Sequence, residues 1–192
     1  MFRPPPTPPL THAQCVARAQ HSAPALIRRL AAIVYESTLL FGVVMFAGIV
    51  FGVLVDQKHA LAHRNGLQAT MFAVLALYFV GFWVRGGQTL AMKTWHLRLL
   101  RRDGLPVRPL QAALRFALSW LWFFPPLLLA WAMQWHSAKE ITSLLLVWFV
   151  LYALLSKALP QGQFLHDQIC RTALVDTRPD DQLPAHPNAR KP

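Results

Sequence analysis

The stretch LIRRLAAIVYESTLL, residues 26–40, opens as a membrane-spanning helix does and then sets a carboxylate, Glu36, two turns beyond the pair Arg28 and Arg29. From Leu30 to Val55 the chain is apolar except for Glu36, Ser37 and Thr38. At about 1.5 Å of rise per residue this run reaches roughly 39 Å, enough to cross a hydrocarbon core of about 30 Å with tilt. An ionisable group at that depth costs about 2.5–3.5 kcal/mol if it faces lipid, so Glu36 is expected to face inward.

Of the 192 residues, 55% are hydrophobic and 14% charged, which is more apolar surface than a soluble domain of this length can bury. The chain is therefore read as an all-α membrane protein. Nucleic-acid binding is the other reading of 19 Lys and Arg against 8 Asp and Glu, but these charges lie between long apolar runs rather than on an otherwise polar helix. No nucleic-acid partner is expected.

Three further apolar runs complete a bundle of four transmembrane helices, with spans at about 30–55, 67–84, 116–135 and 141–159. Pro125 and Pro126 remove amide donors and should kink the third span. The fourth is short, and Lys157 near its end must snorkel to the interface. Basic loops stay on the cytoplasmic side. Arg3, Arg18, Arg28 and Arg29 precede the first span, and Arg85, Lys93, Arg98, Arg101, Arg102, Arg108 and Arg115 lie between the second and third, so both segments are assigned to the cytoplasm. The other two loops carry only Lys58 with Arg64, and Lys139, while the tail carries Lys157, Arg171, Arg178, Arg190 and Lys191. Both termini are thus expected inside, facing the anionic headgroups of the bilayer.

Within the central loop, TWHLRLLRRDGLPV (residues 94–107) alternates around Asp103-Gly104, a favoured turn, and Pro109 opens a helical pattern through Leu110, Leu114 and Leu118. A short cytoplasmic interfacial hairpin between helices 2 and 3 is one reading, with Leu97 and Leu99 on one face and His96 and Arg98 on the other. The other is a basic loop lying on headgroups without fixed structure. Residues 1–25 hold six prolines and are read as a disordered cytoplasmic arm, as is the tail 177–192; residues 26–176 form the membrane domain. The arm lacks the apolar core of a cleaved signal, so the first span is expected to act as its own. Cys15 and Cys170 have no ligand spacing around them and read as free thiols; neither a metal site nor a disulfide is expected. A serine elbow, a paired-histidine helix and a phosphate-cradling loop are all missing from the sequence, so catalytic and cofactor-binding residues are not expected.

Four motifs resemble those of the RDD family. RRLAAIVYE resembles the opening of its membrane domain, an Arg followed seven residues later by Asp, here Arg29 and Glu36. GGQTLAMKTWHLRLLRRDG is similar to its Gly-x-Thr-x-Gly-Lys segment, Ile-Arg-Val strand and Asp-Gly turn, with Gly87, Thr89, Arg98, Asp103 and Gly104 in place. QAALRF matches the Arg-containing helix at Arg115, and FLHDQICRTALV resembles the closing His-Asp motif at His166 and Asp167, followed by Thr172. Glu36 stands where the family has Asp, and Ala91-Met92 replaces the Gly-Lys step, with Lys93 one place later. The resemblance implies a multi-pass protein of a bacterial inner membrane, a family for which transport has been suggested.

About 100° per residue puts Arg29 and Glu36 within roughly 20° of one helix face, some 10 Å apart along it. Asp167 follows the fourth span on the same side, so Arg29, Glu36 and Asp167 are expected to meet at one cytoplasmic mouth, with His166, Arg98, Arg115 and Thr89 as secondary candidates. Such a cluster is either a structural clamp or a pathway for a solute or proton. Tyr35, Ser37, Thr38 and Gln68 would line its interior or bond neighbouring helices. Trp83, Trp95 and Trp135, near span ends, read as interfacial anchors. The function is then transport of a small solute or ion, with a homo-oligomer or another membrane protein to complete the pathway, or else a non-transporting accessory or scaffold role. The topology is tested by placing single cysteines at Leu61 and Ala138: both should label from outside the cell only, and labelling from the cytoplasm would overturn the four-span arrangement.

Overall fold

The computed structural model describes residues 11–21, 23–55 and 64–178. Residues 1–10 of the proline-rich arm, Lys58 with its loop and the tail from residue 179 lie outside them. The elements are α1 (His12–Gln20), α2 (Leu26–Leu54), α3 (Arg64–Gly86), α4 (Leu90–Thr94), β1 (Leu97–Arg101), α5 (Pro109–Ser119), α6 (Phe124–Ala132), α7 (Ala138–Ala158), α8 (Leu165–Ile169) and β2 (Thr172–Asp176).

Among the described residues α2, α3 and α7 are long and apolar enough to cross a membrane, and α5 with α6 makes a fourth if the bent pair is one span. Large apolar side chains such as Phe41, Phe46, Leu77, Trp131 and Leu146 point outward and remain exposed, a surface that suits lipid rather than water. The bend in the third span is 45°. It falls at Phe123, after the single 3-10 turn Trp120–Trp122, and the prolines occupy the first turn of α6, where amides have no intrahelical acceptor anyway.

The expected local hairpin does not form. Asp103-Gly104 does turn the chain, closed by Gly104 N–H donating to Arg101 O at 2.9 Å and Arg101 N–H to Leu105 O at 2.9 Å. Pro106 follows immediately and has no N–H for a ladder, so the return strand cannot continue. Instead β1 pairs antiparallel with β2, from Leu97 opposite Asp176 to Arg101 opposite Thr172, centred on Leu99 and Leu174. Leu97 and Leu99 are buried together, as their spacing predicts, with Trp83, Met92, Val107, Ala112, Phe116 and Leu174.

The opposite face of the sheet is covered too, by a segment assigned to disorder from its prolines. Leu100, Ala173 and Val175 pack against Cys15 and Ala19 of α1. The prolines of the arm stand at 4–9 and at 24, outside residues 12–20, so the short stretch between them is free to be helical. Thr11 and Gln14 close a capping box at its start, and Arg18 donates to the carbonyls of Asp176 (2.6 Å) and Arg178 (2.9 Å).

A hidden repetition organises these pieces. In both α4–β1 and α8–β2 a five-residue helix leads through one left-handed residue, His96 (φ 54°) or Arg171 (φ 53°), into a five-residue strand. The correspondence holds at a constant offset: Gly87 (φ 70°) with Gly162 (φ 68°), Gln88 with Gln163, Leu97 with Thr172. Each glutamine donates its amide to the strand that follows, Gln88 to Leu97 O at 2.7 Å and Gln163 to Leu174 O at 3.1 Å. Each unit also follows a long helix, α3 or α7, so the fold is two helix pairs joined through their closing strands.

Gly87 is fixed by this geometry, since its φ lies in the left-handed region and a Cβ would sit 2.5 Å from Leu99 O. Gly87→Ala should therefore cost about 1–3 kcal/mol and lower the thermal midpoint in detergent by several degrees. Gly86→Ala, whose Cβ meets nothing within 4 Å, should leave it unchanged or slightly raised.

Candidate functional site

Arg29, Ala32 and Glu36 are the buried residues of α2, one stripe at helical spacing. The neighbouring Arg28, about 100° away around the helix, turns instead to the sheet, where it pairs with Asp176 and donates to Trp95 O. Glu36 is only 7% exposed. Its Oε1 accepts from the Tyr78 hydroxyl at 2.5 Å, and its Oε2 accepts from the Thr89 hydroxyl. Thr89 in turn caps α4, accepting from Met92 N–H at 3.3 Å. One hydroxyl thus joins the carboxylate of α2 to the helix that feeds β1.

A second polar group forms around Asp167, which has no exposure. Its Oδ1 accepts from Arg115 Nε at 2.7 Å and from the Thr172 hydroxyl at 3.0 Å, while His166 Nε2 stands 3.6 Å from Oδ2. The other ring nitrogen, Nδ1, shares a hydrogen bond with the Tyr152 hydroxyl at 3.0 Å. Burial pushes the His166 imidazole down to about 4, against the pull of Asp167, so the ring is neutral at pH 7. For Asp167 burial acts upward, but Arg115, His166 and the Thr172 hydroxyl together hold it below the usual carboxylate range.

Arg29 bonds to neither group, although Asp167 attracts its charge. Its guanidinium sits 4.4 Å over the Phe164 ring, and Nε and Nη1 have no hydrogen-bond partner among the described residues. The expected direct cluster of Arg29, Glu36 and Asp167 is therefore not assembled: both Glu36 oxygens are taken by hydroxyls, and Asp167 pairs through Oδ1 with Arg115. Arg115 lies 4.2 Å over Trp83. That places Trp83 in the core at 4% exposure rather than at an interface. Of the secondary candidates, Arg115, His166 and Thr89 join these groups, whereas Arg98 stands apart, half-buried on β1 against Gly87.

Ser37 and Thr38 are exposed and return their hydroxyls to Val34 O of their own helix, and Tyr35 and Gln68 are exposed as well, so these four do not build a polar interior. The groups that do are Tyr78, Tyr152 and Gln163. Two of the chain's three tyrosines end on charged or titratable partners, a signal available in apolar spans where a hydroxyl needs a bond. Gln163 had no such signal. It has no exposure, and its amide bonds Leu174 on both sides, N–H and C=O, as a third strand would.

Arg29, Glu36, Arg115 and His166 share a cleft of about 330 Å³ whose other walls, Ser37 and Ser119 aside, are apolar, among them Phe79 and Trp122. The family model of the RDD family matches residues 23–171. No curated protein and no solved structure matches the chain.

Because the folded His166 binds its proton less readily than the unfolded imidazole, the unfolded chain takes up more protons between pH 6.5 and 4, and stability falls as pH drops through that window. Acidification from pH 7 to 5 should cost about 2 kcal/mol, read as a lower thermal midpoint. His166→Gln should flatten this dependence above pH 5.

Proposed function

The chain belongs to the RDD family, and from that premise we propose that it is a four-span protein of a bacterial inner membrane that takes part in moving a small solute or ion through the cleft that Arg29 and Glu36 line on its cytoplasmic side. One observation carries the reading. Arg29 and Glu36, charged groups of opposite sign on one stripe of α2, face a common cleft without pairing to each other. Buried charges are ordinarily paired, and in membrane helices they ordinarily mark a pathway.

The orientation is supported by charge. Arg28, Arg85, Arg101, Arg102, Arg108 and Arg171 gather where α2 begins, α3 and α7 end and the sheet sits, which assigns that end to the cytoplasm by the distribution of basic residues. A bundle of four spans is small for a complete pathway, so the working unit includes a second copy or another membrane protein. No catalytic step is assigned. The alternative is an accessory or scaffold role without flux, favoured by the buried pairing of Asp167 with Arg115 and Thr172, which has the form of a structural lock.

The two readings separate at Glu36. In vesicles with an entrapped pH-sensitive dye under imposed sodium or potassium gradients, Glu36→Gln should fold as the native chain does yet reduce flux at least tenfold, on the order of what loss of a required ionisable group produces. Glu36→Asp should retain flux. Equal flux in Glu36→Gln, or none in the native chain, leaves the accessory role.

A further inference from the structure

Arg29 is 4% exposed, and two of its donor atoms, Nε and Nη1, are buried without an acceptor among the described residues. A guanidinium keeps its charge in proteins, and buried donors are almost always bonded. The carboxylates nearby are committed, with both Glu36 oxygens taken by Tyr78 and Thr89 and Asp167 Oδ1 taken by Arg115 and Thr172. Asp167 Oδ2 is also unbonded, 3.6 Å from His166 Nε2; it attracts the Arg29 charge without bonding to it, and Asp167 does not line the cleft. Phe164 covers one face of the Arg29 guanidinium, and the unbonded Nε and Nη1 donors, which lie in the plane of the group, are left for an oxygen of a phosphate or carboxylate.

The cleft beyond that edge has the shape and chemistry of a chain site. Along α2 its wall runs from Arg29 to Leu40, about 16 Å at 1.5 Å per residue, close to half of a hydrocarbon core of roughly 30 Å and so to the depth of one leaflet. Leu75, Phe79, Phe123 and Phe149 supply the other walls. Ile33 and Phe123 at the rim are 37% and 49% exposed, so the cleft opens sideways, where lipid lies. Its volume of about 330 Å³ is at the small end of ligand pockets, which run from roughly 300 to 1,000 Å³.

We propose that this cleft holds one acyl chain of an anionic lipid from the cytoplasmic leaflet, with the lipid's phosphate bonded to the edge of Arg29. The site rests on the reading of α2 as a membrane span and is independent of whether the protein transports a solute. A positive group at headgroup depth above a slot one leaflet deep, its walls mostly apolar although Glu36, Arg115 and His166 also line it, selects a molecule with negative charge at one end and hydrocarbon at the other. Free inorganic phosphate would satisfy the guanidinium but leave the slot empty.

The test is native mass spectrometry of the full chain in detergent, titrated separately with phosphatidylglycerol, phosphatidylcholine and inorganic phosphate. Phosphatidylglycerol should bind at least about fivefold tighter than phosphatidylcholine, the gain expected of one basic residue on an anionic headgroup. Arg29→Gln should remove that preference, and Arg29→Lys should keep part of it. Should Arg29→Gln fail to fold, Ile33→Trp, which narrows the mouth from its exposed rim, should weaken phosphatidylglycerol binding with the guanidinium intact. Equal binding of the two lipids, a preference unchanged in both Arg29→Gln and Ile33→Trp, or phosphate bound as tightly as phosphatidylglycerol would overturn the proposal. Loss of flux in Glu36→Gln with lipid binding unchanged bears on transport alone.

Discussion

The backbone ladder between Leu97–Arg101 and Thr172–Asp176 joins the two ends of the membrane domain, and the polar groups take their positions from it. Thr172 begins β2 and brings its hydroxyl to Asp167; Leu99 N–H donates to the carbonyl of Gly87, in the turn just before Thr89, at 2.7 Å. Both strands are reached through a left-handed residue after a short helix, so the direction of each strand is set within a few residues of the polar group it supports. Closing a loop of this length is entropically unfavourable, and the buried leucines on one face and the α1 contacts on the other offset that cost.

The two carboxylates illustrate two ways of keeping an acid away from water. Asp167 has a full counter-charge in Arg115, itself lodged on Trp83, and a further hydroxyl from Thr172. Glu36 has only neutral donors from Tyr78 and Thr89. A buried, paired charge resists change, since removing one partner leaves the other uncompensated. A carboxylate held by hydroxyls can change protonation while keeping the same partners, because a hydroxyl both donates and accepts. The two acids thus differ in their partners, a counter-charge at Asp167 and neutral hydroxyls at Glu36.

Much of the membrane architecture was legible in the chain. The apolar runs at 30–55, 67–84 and 141–159 correspond to α2, α3 and α7, because hydrophobic length is a local property that neighbours do not alter. The burial of Glu36 with Arg29 on one stripe followed from helical spacing alone, and the burial of Leu97 with Leu99 from the period of a strand. The membership of Arg115, His166, Asp167 and Thr89 in buried polar groups came with the family motifs in which they stand.

Partnership was another matter. Sequence spacing put Arg29 and Glu36 on one face but could not show that Tyr78 and Thr89 would reach the carboxylate first, nor that Arg115 would hold Asp167 and leave Arg29 unbonded. It placed a turn at Asp103-Gly104 but not the strand that β1 would choose, since Thr172–Asp176 lies across two spans. The repetition of α4–β1 in α8–β2 is carried by backbone conformation and by a few residues such as Gly87 and Gly162, while most side chains at matching positions differ, as with Met92 and Asp167. Which segments are apolar enough to enter a membrane, and that Arg29 and Glu36 share one stripe of α2, could be read from the chain alone, because both follow from composition and from the period of a helix. Which donor meets which acceptor was decided by the tertiary structure, because hydrogen bonds act over about 3 Å and only the assembled helices bring residues so far apart in the chain within that distance.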